Sequence, residues 1–221
     1  MRLAGLRPVR GGPLPVAIAA ALMTLSAAPA DGQNAWSSVL ASRASTARTK
    51  GAEAAPVFVY EFANFQCTHC AKFAMEVLPR IDSAFVRTGK VRWIFVHLPG
   101  PSHANAWSAH EAAACAGAVG DRFWAMHDRL FSRQSEWAEA PEPRKLFAKL
   151  AREVGLTPDA FERCVDEDRV ASILLQDVIF AASSRVNGTP AFLVNNETTV
   201  LGLKSYEEWQ DILEKALKKR R

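Results

Sequence analysis

The feature that most constrains this chain is a β-prone run, Val57–Phe62 (VFVYEF), set just ahead of Cys67-Thr68-His69-Cys70. A run of this length and composition reads as a strand buried on both faces. A polar break, Ala63-Asn64-Phe65-Gln66, separates it from the cysteines. Beyond them Phe73, Val77, Leu78, Ile81 and Phe85 recur at mostly three- and four-residue steps, which is the spacing of one helix face. Pro79 falls inside that pattern and predicts a kink rather than an end, because the pattern continues past it. Gly89 then caps the helix. Val91–Leu98 (VRWIFVHL), closed by Pro99-Gly100-Pro101, reads as a second strand. Strand, helix and parallel strand make a right-handed βαβ unit, with the cysteine pair at its first strand-to-helix junction.

That junction dictates the chemistry open to the pair. A helix start offers unpaired N–H groups and partial positive charge, both of which favour a thiolate. Two intervening residues bring the second sulfur within disulfide range, so Cys67 can attack while Cys70, expected to be the less exposed, resolves. A polarised imidazole at His69 stabilises the Cys67 thiolate further, and a more stable thiolate makes a better leaving group and a more oxidising disulfide. The same C-x2-C spacing is also half of a zinc clip. A full site needs two more ligands. There is no second such pair, His103 and His110 are seven residues apart, and Cys115 and Cys164 stand alone in helical stretches, so no metal is expected.

From His103 to about Arg185 the pattern is helical throughout, with Thr157-Pro158-Asp159 opening one helix as cap, proline and acid. Strands return at Ala191–Val194 and Thr198–Leu201, joined by the hairpin signal Asn195-Asn196-Glu197. The capping box Ser205-x-x-Glu208 opens a last helix with Trp209, Ile212, Leu213 and Leu217 on one side. Residues 31–55, rich in Ala, Ser, Thr and Gly, read as a loosely ordered lead-in holding at most one short helix. His97 ends a strand, while His103, His110 and His127 are read as helix-surface or cap residues.

Charge matters only once the N-terminus is set aside. The chain has 221 residues, with 27 Lys and Arg against 23 Asp and Glu. Arg2, Arg7 and Arg10 precede an uncharged stretch, Pro13–Ala30, that ends in Ala28-Pro29-Ala30; this is the layout of a secretory signal peptide over residues 1–30. Cleavage there removes three positive charges and takes the net charge from +4 to +1, which leaves no case for a nucleic-acid partner. The alternative is a signal retained as a membrane anchor, against which stand the short apolar stretch and its prolines. The mature protein is expected outside the cytoplasm, in the periplasm or an equivalent space.

Asn187-Gly188-Thr189-Pro190 lies at the mouth of the third strand, where a proline fits a tight turn. With that element the chain resembles the DsbA family, the exported thiol–disulfide oxidoreductases of bacteria. The resemblance rests on Val57–Phe73, Ala112–Phe131, Val186–Asn195 and the terminal helix, and it covers roughly residues 56–218. It implies an α/β, thioredoxin-like fold formed by residues 56–102 and 186–221, with an inserted all-helical domain at 103–185. It implies Cys67 as nucleophile, Cys70 as buried resolving thiol, and Pro190 as a cis-proline facing the pair, with Thr189 offering backbone hydrogen bonds to a bound peptide. Thr68-His69 departs from the Pro-His usual in the family's oxidase.

Glu61 shares a strand face with Val57 and Val59, and a carboxylate buried there is costly unless used or paired. It is similar to the acid that family members hold beneath the active site, where it would take the proton of Cys70. The alternative is a strand-end residue reaching solvent. Cys115 and Cys164 are 49 residues apart, and in an oxidising compartment they would form a structural bridge; the alternative is two buried free thiols.

The function expected from these residues is dithiol oxidation of folding exported proteins that carry free thiols, with no cofactor beyond the Cys67–Cys70 disulfide. The resemblance to the family implies a quinone-linked membrane partner that would restore that disulfide. Thr189 before Pro190 resembles the family's isomerases more than its best-known oxidase, so an isomerase or reductase kept reduced by another partner is the alternative within the enzyme class. Against it, residues 31–55 are too short for a dimerisation domain. A metal-binding or peptide-holding protein is the reading from another class.

Overall fold

The computed structural model of the protein describes residues 30–220, so the expected signal peptide lies almost wholly outside them. The chain builds a five-stranded sheet in the order β1-β3-β2-β4-β5. Its centre is β2 (Val57–Ala63), parallel to β3 (Val91–His97) on one side and antiparallel to β4 (Ala191–Val194) on the other. The hairpin partner β5 (Thr198–Leu201) and the two-residue β1 (Thr49–Lys50) form the edges. In the hairpin turn Asn195 and Asn196 both take left-handed backbone angles, φ 53° and 58°, which asparagine tolerates better than most residues.

The helix after the cysteines runs as α2 (Thr68–Lys72), a π turn (Phe73–Val77), α3 (Leu78–Ile81) and a second π turn (Asp82–Val86). Pro79 explains the departure from a regular helix. It has no N–H to give and its ring crowds the preceding turn, so the chain widens around it, and the N–H of Leu78 reaches back five residues to the carbonyl of Phe73. The apolar face survives: Phe73, Ile81 and Phe85 are buried against Trp93, Phe192 and Trp209. Trp209 comes from α10 (Tyr206–Lys218), whose start is fixed by the Ser205–Glu208 capping box.

Between β3 and β4 lie α4 (Ala106–Gly120), α5 (Phe123–Ser132), α6 (Gln134–Trp137), α7 (Pro143–Glu153), α8 (Pro158–Asp166) and α9 (Ala171–Ser183). A disulfide joins Cys115 of α4 to Cys164 of α8, with Cα atoms 5.8 Å apart. Among the described residues no helix is long and apolar enough to cross a membrane.

The reading of residues 31–55 as a loosely ordered lead-in is corrected. α1 runs over Ala30–Ala47, 18 residues, and its Ala44 and Ala47 are buried against α4. The contact is made by small residues: a Cβ placed on Gly117 would stand 3.0 Å from the Cβ of Ala47. Helices that approach this closely carry no large apolar stripe, so hydropathy periodicity gives no warning of them. The segment is then fastened by Arg48, which pairs with the buried carboxylate of Asp177 on α9.

Candidate active site

Cys67, Cys70 and Thr189 meet at the start of α2. Cys67 is the N-cap, half-buried, and Cys70 is buried on the first turn; both thiols are free. The Cys67 thiol is pushed down to about 5. The hydrogen bond from the Cys70 thiol is the largest cause, opposed by burial and aided by the backbone N–H groups of Cys70 and His69 and by Thr189. Burial pushes the Cys70 thiol the other way, well above its ordinary value, and the neighbouring Cys67 charge adds to it. The pair is thus split into one thiol that ionises readily and one that holds its proton.

Thr189 lies opposite. Its carbonyl oxygen accepts from the Cys67 Sγ at 3.5 Å, and the Thr189–Pro190 bond is cis. Thr68 and His69 are exposed, so His69 contributes to the pair through its backbone N–H while its ring faces solvent.

Glu61 is fully buried in the central strand, which removes the solvent-reaching alternative. Burial pushes its carboxyl up to about 7, against the lowering effects of the Trp93 indole and the Lys50 ammonium. The Trp93 Nε1–H donates to Oε2 at 2.7 Å, while Oε1 has no hydrogen-bond partner among the described residues.

Sequence reasoning missed the amide side chains that hold the loop ahead of Cys67. The Gln134 Nε2 donates to the carbonyl of Phe65 at 2.6 Å and to that of Cys67 at 3.1 Å. Gln66 donates to the Ala138 carbonyl at 2.7 Å and accepts from the Asn105 backbone N–H at 3.0 Å. Asn105 in turn donates to the carbonyls of Trp137, Ala138 and Ala140. Asn64 closes a local turn by accepting from the Gln66 N–H at 2.9 Å. The polar break Asn64-Phe65-Gln66 carried this signal in part: two amides beside the cysteine pair invite partners. Gln134 carried none, because its partners lie nearly seventy residues away.

The histidines correct a further expectation. His110 and His127 are fully buried rather than at helix surfaces or caps, and with His97, which ends β3 as expected, they lie behind Phe65 and among Phe95, Phe123 and Phe131. A helix face made of alanine hides its inward direction, so no periodicity turns His110 inside. Among the described residues no three His, Cys, Asp or Glu side chains are gathered as a metal would need.

With this geometry in place, the comparisons decide the family. A sequence profile described as thioredoxin matches residues 43–215. The chain belongs to the thioredoxin family. Disulfide bond formation protein D of Bacillus subtilis is 25% identical over 169 residues, covering 76% of each chain. A Na(+)/H(+) antiporter, NhaA 3 of Salinispora tropica, is 35% identical over 147 residues; these make up 66% of this chain but 21% of the antiporter. The chain therefore spans about a fifth of that relative. The crystal structure of oxidised BdbD from Bacillus subtilis superposes with a TM-score of 0.70 at 25% identity, over 77% of this chain and 92% of that one. Solved DsbA chains of Wolbachia pipientis and Chlamydia trachomatis share the fold. Within the thioredoxin family this member is DsbA-like, a mixed α/β sheet with a helical insertion, and it groups with the thiol–disulfide oxidoreductases.

Proposed function

We propose that the protein is an exported dithiol oxidase that donates the Cys67–Cys70 disulfide to proteins folding outside the cytoplasm. A client thiolate attacks the half-exposed Cys67 Sγ and the Sγ–Sγ bond breaks. The electron pair leaves on Cys70, which takes up a proton. A second client thiolate then attacks the client sulfur of the mixed disulfide and expels Cys67 as a thiolate. The client loses two electrons, the enzyme gains them, and a quinone-linked membrane partner would remove them again. Thr189 and Pro190 line the face on which the client's extended backbone would lie. We assign Glu61 the proton exchanged as Cys70 changes state.

The observation that carries this reading is the placing of a half-buried Cys67 thiol at the N-cap of α2, against the carbonyl of Thr189 and its cis bond to Pro190, with the Cys70 thiol buried behind it. The test is the reduction potential of the mature protein, by glutathione equilibration with Cys115 and Cys164 replaced by Ala. A value near about −120 mV is expected, and one near about −270 mV would overturn the oxidase in favour of a reductase or isomerase.

A further inference from the structure

Three buried imidazoles stand behind the active-site loop, and the mechanism uses none of them. The Phe65 backbone N–H donates to His110 Nε2 at 3.4 Å. His110 Nδ1 lies 2.9 Å from His97 Nδ1. His127 Nδ1 faces Asp128 at 2.8 Å, and the Nε2 atoms of His97 and His127 have no hydrogen-bond partner among the described residues. The rings of Phe65 and Phe95 lie against His110, with centroids 4.8 Å and 6.2 Å away.

A backbone N–H can only donate, which fixes the proton inventory. His110 Nε2 must present a lone pair, so the proton of the neutral ring sits on Nδ1. That proton points at His97 Nδ1, which must in turn present a lone pair and carry its own proton on Nε2. The bonds therefore run in one direction, from Phe65 through His110 to His97. A second proton on His110 would set two donors face to face at Phe65. The surroundings keep the rings neutral. Burial pushes His110 down to about 3, and burial, His110 and Arg48 together hold His97 well below its ordinary value. The groups facing the cluster are Arg48, Lys50, Asp128 and Asp177, the last accepting the His97 backbone N–H at 2.7 Å.

Phe65 is two residues before Cys67. Its peptide is pinned on both sides, with the N–H on His110 and the carbonyl on Gln134. We infer that His110 is a positioning residue for the Cys67 nucleophile, accepting the Phe65 N–H at Nε2 in the tautomer that this contact fixes and donating from Nδ1 to His97. The inference rests on the dithiol reading of the site but on neither direction of electron flow. A loop that loses this anchor lets the Cys67 Sγ drift from the Cys70 and His69 N–H groups and from Thr189, and its thiol titrates higher.

The test uses the full-length reduced protein and needs no client. Nitrogen-resolved NMR of the histidine rings is expected to show His110 bare at Nε2 and protonated at Nδ1, with His97 the reverse. A proton on His110 Nε2 would overturn the proposal. His110→Leu is then expected to raise the Cys67 midpoint by about one unit, a roughly tenfold loss of thiolate on the acid side. His110→Gln, which restores an acceptor, is expected to recover most of it. A purely structural role would lower the unfolding midpoint in both variants and leave the Cys67 titration where it is in the parent. Should the leucine variant not fold, the ring tautomers and the glutamine variant decide alone. The reduction potential separately tests the oxidase reading, so the two failures are distinct.

Discussion

The two cysteine pairs carry the same chemistry into opposite surroundings. Cys67 and Cys70 sit three residues apart at a helix start, with one sulfur reached by solvent and N–H groups converging on it. Cys115 and Cys164 are 49 residues apart, both buried, on α4 and α8 inside the helical insert, and joined. The first pair has donors that stabilise a thiolate and a half-buried sulfur that solvent can reach. The second is packed among alanine, leucine and phenylalanine side chains, where a thiolate would be costly. What separates a working dithiol from a structural clamp here is therefore the hydrogen-bond donors and access at each sulfur.

The sharpest way to break this comparison is to remove the second pair. Closing a loop of this length contributes about 4 kcal/mol in the chain-entropy model, so Cys115→Ala with Cys164→Ala is expected to lose about that much in denaturant unfolding. The Cys67 titration and the potential of the first pair are expected to stay put. A shift in that potential beyond about 30 mV, or about 1.4 kcal/mol, would show that the two pairs are coupled.

The next effect belongs to Glu61, which lies on the sheet that carries the first pair. Its folded-state value near 7 stands above the ordinary carboxyl value of 4.5, so the folded protein binds the extra proton. The stabilisation is present in full below the unfolded value and is lost as pH rises through about 7, amounting to about 3 kcal/mol. Cys67 works in the opposite sense in the reduced protein, since its depressed thiol stabilises the fold as pH rises above about 5. Oxidised protein isolates the carboxyl. Glu61→Gln is expected to be more stable than the parent by about 3 kcal/mol near pH 8 and nearly equal to it near pH 4. A gain that does not change with pH would mean that Glu61 is not the titrating group.

The sequence carried the first pair's surroundings far better than the second's. β2, the helix after the cysteines, β3 and the closing hairpin are legible because their residues alternate or repeat with apolar groups large enough to mark a face. Glu61 stood out because a carboxylate on a buried strand has to be explained. The insert was legible as helices but not as packing. α1 and α4 meet through Ala44, Ala47 and Gly117, and His110 turns inward from a helix of alanines; small residues fit both faces equally well, so no periodicity separates them. The Gln134 clamp depends on contacts between segments distant in sequence, and a lone glutamine in a polar stretch says nothing of its partner.

Gln134 gives the smallest effect and the most direct probe of what the insert does for the first pair. It belongs to the helical insert, yet its one amide nitrogen donates to the carbonyls of Phe65 and Cys67 on the far side of the junction. A single neutral hydrogen bond contributes about 1 kcal/mol net, and only part of that distinguishes thiolate from thiol, so Gln134→Ala is expected to raise the Cys67 midpoint by about half a unit. Gln134→Glu should raise it further, to about one unit above the parent. It sets a carboxylate against two carbonyl oxygens and brings negative charge toward the thiolate that the site must stabilise. Thiolate absorbance against pH measures both variants, and unfolding curves beside them separate loop positioning from simple loss of stability. If the alanine and glutamate variants titrate alike at the parent's midpoint, the junction holds Cys67 by itself and the insert contributes nothing to its titration. If they rank as expected, the helical insert belongs to the acid–base machinery of the dithiol, and the contrast between the two cysteine pairs becomes a division of labour within one insert. Its disulfide keeps the helices together, while its glutamine orients the sulfur that reacts.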